Sequence, residues 1–360
     1  MARRLGGGGR RERAATRVLP AALALALSAG AAGTSQGTAP VFPPRLEKYL
    51  AGEMKLSAAQ RRALLAGTPV TQLIDVDDSA EVGVFGAVWI DAPVRRYVDT
   101  LHDIERFERG GGFKVTKRIG SPPALEDFAD LRLPDEAFKD LKKCRVGDCV
   151  VKLDEPTILR LRAEVDWKSP AARSAADGVM RRFALDCVNG YLEGGNQRLA
   201  VYRDHEQPAS AAEEFRAMVD QMPELTKYLP NLRRYLLDYP AISAPGPESF
   251  LYWQETEFGL RPTIRISHVV IWETPDGTAV ASRMLYASHY FRTGLELRVL
   301  VEDPSRGPGF WFVTISRSRV DGLGGLLGRL IRGRVQDGVR KGSLAALRAT
   351  KRLLETPAGR

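Results

Sequence analysis

Residues 249–356 constrain the fold most, because five strand-like runs are followed there by one long helical run. The runs are rich in β-branched and aromatic residues, turn residues separate them, and they cover 250–258, 263–273, 279–291, 295–302 and 310–319. In the fourth run, Leu295, Leu297, Val299 and Val301 alternate with polar residues. This alternation predicts one apolar face and one solvated face. The stretch therefore predicts an antiparallel sheet with one buried face.

The run after residue 322 predicts an amphipathic helix that covers the apolar face of the sheet. Its apolar or small residues recur at three-to-four spacing: Leu323, Leu327, Leu330, Ile331, Val335, Gly338, Gly342, Ala346, Ala349 and Leu353. Lys and Arg residues occupy the opposite side. Gly338 and Gly342 each cost about 1 kcal/mol relative to Ala in a helix. Three explanations stay open: close approach of the helix backbone to the sheet, space left for a ligand, or simple tolerance.

An antiparallel sheet that grips a long C-terminal helix resembles the START-like (helix-grip) superfamily. The first strand and helix of such a fold match residues 82–90, a predicted strand, and the predicted helix that follows it to about Phe107. Asp91 suits the N-cap of that helix, and Pro93 suits its first turn. The resemblance covers about residues 82–118 and 249–356. It implies an α+β fold with an apolar cavity between the sheet and the C-terminal helix.

The resemblance also implies the ligand class, an apolar or amphipathic small molecule such as a lipid. The residues we expect to line the cavity are Trp253, Ile266, His268, Trp272, Leu297, Val299, Phe312, Leu330 and Gly338. Ordinary core packing is the alternative for each of them.

The middle of the chain departs from this resemblance. Residues 155–247 have a helical pattern interrupted by proline and glycine, which predicts a helical insertion. Residues 45–154 then hold N-terminal helices and the first part of the START-like domain. Residues 248–356 hold the C-terminal sheet and helix.

Charge is concentrated at the two ends of the chain. The formal net charge is +9. Residues 1–31 contain six Arg and one Glu (+5), and residues 321–360 contain nine Lys or Arg and three Asp or Glu (+6), so about −2 remains between them. Only the last helix is basic, and no aromatic-basic motif accompanies it, which argues against nucleic-acid binding. Contact between this helix and a membrane surface is the alternative.

The N-terminal basic block has the layout of a secretory signal peptide. Six Arg residues precede the apolar run 18–27, and Ala29, Gly30 and Ala31 supply small residues at the cleavage spacing. We expect a signal peptide at 1–31, a disordered linker at 32–44, and a mature protein in the periplasm or secreted.

Two cysteines flank a short turn. In an exported chain, Cys144 and Cys149 are expected to form a disulfide. Two free thiols and redox chemistry are the alternatives. Cys187 lies within a helical run and is expected to be a core thiol.

No pattern in the chain predicts a cofactor or a metal. The carboxylates of Asp75, Asp77 and Asp78 lack the spacing of a calcium loop, so a solvated loop is predicted. A hairpin centred on residues 276 and 277 pairs His268 with Leu285, about 13 Å from His289, too far for a shared metal.

The leading hypothesis is therefore an exported binding protein for an apolar or amphipathic small molecule. A rival is an envelope-associated interaction protein whose basic helix lies on anionic lipid and whose sheet has no cavity. A third is a cyclase- or hydrolase-like enzyme that uses His268 or His289 as a base.

Overall fold

The fold is built on one eight-stranded antiparallel sheet. The computed structural model describes residues 41–110, 112–241, 246–257, 261–275, 277–323 and 325–356, without the side chains of 325–327, 329 and 330. The strands are β1 (Val70–Ile74), β2 (Glu81–Ile90), β3 (Phe113–Arg118), β6 (Glu248–Glu257), β7 (Pro262–Thr274), β8 (Gly277–Ala287), β9 (Phe291–Glu302) and β10 (Phe310–Val320). Their order is β1-β2-β10-β9-β8-β7-β6-β3. A separate two-residue pair joins β4 (Val201–Tyr202) to β5 (Ala209–Ser210).

Ten α-helices are described around this sheet. They are α1 (Pro44–Gly52), α2 (Ala58–Leu65), α3 (Val94–His102), α4 (Ile104–Phe107), α5 (Asp135–Leu141), α6 (Glu155–Glu164), α7 (Ala172–Gly194), α8 (Ala211–Asp220), α9 (Pro230–Asp238) and α10 (Gly325–Glu355). The predicted α+β class is confirmed. A large antiparallel sheet and a C-terminal helix are present, and the arrangement is compatible with a helix-grip fold.

Helices cover both faces of the sheet. The face toward α1, α2 and α5–α9, called the insertion face below, includes Leu297 of β9 and Val313 of β10. The other face, called the C-terminal-helix face, packs against α3, α4 and α10 and includes Leu300 and Phe312. Since helices cover both sides of β2, all ten of its residues are buried.

α10 is held at one side of the sheet, over β1 and β2. Its buried side chains include Leu347 and Leu354. Gly86 of β2 permits the close approach, because a Cβ there would lie 2.9 Å from Leu347 Cδ1 and 2.7 Å from Thr314 Oγ1. Lys351 Nζ donates a hydrogen bond of 2.7 Å to the carbonyl of Trp89.

The described part of the apolar stripe that the sequence places on α10 points away from the sheet. Ile331 and Leu353 are about half exposed (51% and 50%), and Gly338 and Gly342 are exposed. A Cβ at either glycine would meet nothing within 4 Å. Neither close backbone approach nor a ligand space under the helix therefore accounts for these glycines. The buried residues Leu347 and Leu354 lie outside the predicted stripe.

Two local predictions are also corrected. His268 pairs with Arg283 and not with Leu285, because Thr274 and Gly277 close the β7–β8 turn and shift the register by two. The N-cap of α3 is Pro93 and not Asp91. The backbone N–H of Asp91 instead donates to the carboxylate of Glu355 on α10.

The predicted disulfide between Cys144 and Cys149 is present. Both residues are buried, and the short bridge closes a turn whose Gly147 has a positive φ of 84°. Cys187 is a free, buried thiol, as expected. The predicted signal peptide lies outside the described residues. Among the helices that are described, none combines the length and apolar character of a membrane span.

Candidate functional site

Most of the predicted cavity residues lie on the opposite face of the sheet from α10. Those on the insertion face are Trp253, Ile266, His268, Trp272, Leu297 and Val299. Phe312 faces α10, Gly338 is exposed to solvent, and the side chain of Leu330 is outside the described residues. The placement was wrong because the apolar side of β9 packs against the helical insertion and N-terminal helices. The sequence pattern shows which residues share a face, but not which helices cover it.

The C-terminal-helix face contains a buried polar cluster, the Glu108–Arg298 cluster, made up of Glu108, Gln254, Arg265, Ser282, Glu296 and Arg298. Arg298 Nη1 donates to Ser282 Oγ at 3.0 Å, and Arg298 Nη2 lies 2.7 Å from a Glu296 carboxylate oxygen. Glu108 lies deeper, 3.9 Å from Arg298. The alternation of β9 had placed Arg298 on a solvated face. Its exposed fraction of 6% shows that this face is covered.

Gln254 connects Glu108 to a second arginine. Gln254 Nε2 donates to Glu108 Oε2 at 2.9 Å, and Arg265 Nη2 donates to Gln254 Oε1 at 2.7 Å. Thr116 Oγ1 donates to the backbone carbonyl of Glu108 at 2.8 Å. The Glu108 carboxylate is therefore held from strands β6 and β9, and its backbone carbonyl from β3.

Burial perturbs the acidity of the groups in this cluster. It raises the pKa of Glu108, although Arg298 and Arg265 partly oppose that change. Burial alone would lower the pKa of Arg298, but Glu296 and Tyr97 outweigh it and hold that pKa above its ordinary value. Arg298 is therefore a fixed cation, whereas Glu108 is the group whose protonation responds to its surroundings.

Apolar and aromatic groups border the cluster on α3 and the sheet. The ring of Tyr97 packs against Phe312 at 5.1 Å and against Phe107 at 5.9 Å. The buried Tyr97 hydroxyl has no hydrogen-bond partner among the described residues. Burial raises its pKa, and Arg298 is the largest opposing influence on that pKa. A buried hydroxyl without a partner is costly, so this group is free to bind a polar ligand atom.

The C-terminal-helix face of the sheet is partly open along the C-terminal half of β10. Thr314, Ser316 and Ser318 are half-buried, whereas the residues between them, on the insertion face, are buried. Beside Glu108, an open pocket of about 410 Å³ is lined by α4 and β3 residues including Glu105, Lys114 and Lys117. The cluster thus lies between an aromatic wall and two solvent-accessible edges.

The two candidate histidines lie elsewhere. His268 Nδ1 is 2.9 Å from the Tyr191 hydroxyl, and His289 Nδ1 is 3.0 Å from Ser288 Oγ. Burial lowers the pKa of His268 to about 3 and that of His289 to about 4. Neither forms a described hydrogen bond to the Glu108–Arg298 cluster, so the two histidines are not part of that cluster.

Asp204, His205 and Asp321 group closely enough to suggest a metal site. Lys152 lies between the two carboxylates, with Nζ 3.0 Å from Asp204 and 2.5 Å from Asp321. An ammonium group therefore already supplies the positive charge that a cation would bring.

The sequence offered one signal for the Glu108–Arg298 cluster that the prediction did not use. Gln254 and Arg298 are polar residues in the middle of strand runs, where one face was taken to be solvated. Comparison with known proteins gives no further guide, since no protein-family model and no curated protein matches the chain.

Proposed function

We propose that the protein is a START-like binding protein for an amphipathic small molecule. The ligand lies on the C-terminal-helix face, with its polar group at the Glu108–Arg298 cluster and its apolar part against the aromatic wall. The observation that carries this proposal is the unpartnered Tyr97 hydroxyl beside a buried Arg–Glu pair. The antiparallel sheet and the C-terminal helix support the START-like assignment.

The chemistry of the face supports an amphipathic ligand over a purely apolar one. Arg298 and Gln254 donate hydrogen bonds, and the Tyr97 hydroxyl has no partner, whereas Leu300 and Phe312 supply apolar surface. Binding sites of this kind combine apolar walls with a few placed polar groups. The sequence alone had predicted a cavity lined mainly by apolar residues.

Binding is tested with an anionic fluorescent amphiphile, 1-anilinonaphthalene-8-sulfonate, and by native mass spectrometry of protein purified from its source. Ser316→Phe fills the half-buried floor of the face, directly opposite Glu296 in the β9–β10 ladder. Ser174→Phe, at an exposed position of α7, is the matched control. We expect Ser316→Phe to weaken dye binding at least tenfold, and Ser174→Phe to leave it unchanged. Equal dye binding by all three proteins, with no small molecule on the purified parent, refutes the proposal.

A second candidate function is contact with an anionic membrane surface through the outward face of α10. Ile331 and Leu353 are exposed on this helix, and Arg334, Arg348 and Arg352 are exposed without an ion pair to any residue that the structure describes. A helix with an apolar stripe beside a basic row is suited to the interface of anionic lipid.

Sedimentation with vesicles tests this contact. We expect the protein to bind vesicles that contain phosphatidylglycerol but not pure phosphatidylcholine, and the Arg348→Glu/Arg352→Glu variant to lose that binding. Arg162→Glu/Arg216→Glu makes the same change of charge at exposed positions of α6 and α8. If the two double variants lose binding equally, net charge explains the result and the α10 surface does not.

We also propose that the protein is exported, which accords with the disulfide because disulfides persist in oxidising compartments. Sequencing of the native N-terminus should then begin near Ala32. Recovery of an intact Met1 or Ala2 terminus from the native protein contradicts export with cleavage.

A further inference from the structure

Four arginines are buried among the described residues, and one of them, Arg283, differs from the others in having no carboxylate partner there. Arg298, Arg317 and Arg319 each form an ion pair with a carboxylate, from Glu296, Glu81 and Glu214 among others. Arg283, with no exposed surface, has no carboxylate within ion-pair distance in the described part of the chain. A buried charge normally needs a partner of opposite charge.

Neutral groups satisfy only part of the Arg283 guanidinium. Its Nη1 donates to Asn196 Oδ1 and, at 3.1 Å, to the carbonyl of Leu236. The ring of Phe215 lies 3.7 Å from its central carbon. Burial lowers the pKa of Arg283 and the nearby Tyr191 hydroxyl partly opposes that change, but Nε and Nη2 form no well-aligned hydrogen bond with any residue that the structure describes.

A third unused polar atom lies on the neighbouring strand. Arg283 of β8 and His268 of β7 are directly paired across the antiparallel ladder, so their side chains leave the same face of the sheet. His268 Nδ1 is 2.9 Å from the Tyr191 hydroxyl, and His268 Nε2 is buried with no hydrogen-bond partner in the described part of the chain. When the Tyr191 hydroxyl donates to Nδ1, Nε2 carries the proton and becomes a donor. Arg283 and His268 then present three donor atoms and one positive charge.

Aromatic rings enclose these donors. Tyr191 and Tyr239 stack at 4.7 Å, and the ring of Tyr239 lies 5.0 Å from that of His268. Neither described open pocket is lined by these residues. Arg283, His268 and Tyr191 are each at most 1% exposed, so any occupant must be only a few atoms in size.

We propose that Arg283 and His268 bind a small monovalent anion, a halide or a carboxylate as small as formate, beneath the helical insertion. Guanidinium N–H groups suit such acceptors. The anion would neutralise Arg283 where the sheet meets α7, α8 and α9. This site is independent of the Glu108–Arg298 cluster, which lies on the opposite face of the sheet.

The test uses the full chain, which is unfolded in urea to release any bound anion. The chain is then refolded in sodium gluconate, because the gluconate anion is too large for the site. Chloride, bromide or formate then replaces gluconate at constant ionic strength. We expect each small anion to raise the melting temperature along a saturable curve, because a ligand of the folded state stabilises it by mass action. Crystals soaked in bromide should show an anomalous peak within hydrogen-bond distance of Arg283 Nε or Nη2.

Arg283→Gln removes the charge but keeps a polar side chain, and Arg216→Gln is the exposed control. We expect the anion dependence to disappear in Arg283→Gln and to persist in Arg216→Gln. If Arg283→Gln does not fold, the bromide peak in the parent protein decides. A parent protein with the same melting temperature in every anion, and only water beside Arg283, overturns the proposal. An equal response in Arg283→Gln also overturns it, since that result is a general salt effect.

Discussion

Replacing Gly338 or Gly342 by alanine should stabilise the protein. Both glycines lie inside α10, both are exposed, and the added methyl group would meet nothing within 4 Å. The gain is therefore the difference in helix propensity alone, about 0.8–1 kcal/mol for each substitution. The two positions are i,i+4 neighbours about 6 Å apart, so the double variant should gain up to the sum, about 2 kcal/mol.

Urea unfolding followed by circular dichroism measures this gain as a higher midpoint. Gly86→Ala is the contrasting buried control, because its Cβ would lie 2.7 Å from Thr314 Oγ1 and 2.9 Å from Leu347 Cδ1. That variant should lose about 1–3 kcal/mol through overpacking.

A loss of stability in Gly338→Ala would refute the reasoning, because it would mean that another surface covers this side of α10 in the folded protein. A gain of stability together with weaker vesicle binding would instead show that the glycines are kept for docking.

Two further predictions concern thiols and pH. Thiol labelling of unreduced protein should modify Cys187 alone, and only after denaturation, because Cys144 and Cys149 are bridged and burial raises the pKa of Cys187 to about 12; three labels would contradict the bridge. In the folded protein the pKa of His268 is about 3 and that of His289 is about 4, both below the ordinary histidine value near 6.5. Between the folded-state pKa and 6.5, the unfolded chain therefore binds more protons than the folded chain. The free energy of unfolding should then fall as the pH decreases below about 6.5. Melting curves from pH 7 to pH 4 should show a shallower loss in His289→Gln than in the parent, and identical slopes would show that His289 does not contribute.

The positions of the strands could be predicted from the sequence. Which helices cover each face of the sheet could not. The run predicted at 310–319 is observed as Phe310–Val320, because β-branched and aromatic residues end at clear turns. The alternation of Leu297 and Val299 correctly grouped residues on one face. It did not reveal that helices cover both faces, which leaves Arg298 buried and not solvated.

The prediction that the apolar stripe of α10 packs against the sheet was wrong for a related reason. Its periodicity shows that Ile331, Gly338 and Leu353 share a side of the helix, but the sheet packs against Leu347 and Leu354 instead. Leu347 fits there because Gly86 leaves room for it, and a pairing so distant in the chain has no local signature. Arg283 did carry a signal, as a charge in the middle of an otherwise apolar strand.

The order of the strands in the sheet also determines when the molecule can fold. β2 ends at residue 90, and its inner neighbour, β10, begins at residue 310. At about 5–20 residues per second, synthesis of the intervening chain takes on the order of ten to forty seconds. During that interval β2 has only β1 beside it, and its apolar residues lack most of the core that later surrounds them. A nascent chain of this design remains dependent on chaperones until nearly all of it has been made, and release before β10 would leave an unpaired strand edge open to aggregation.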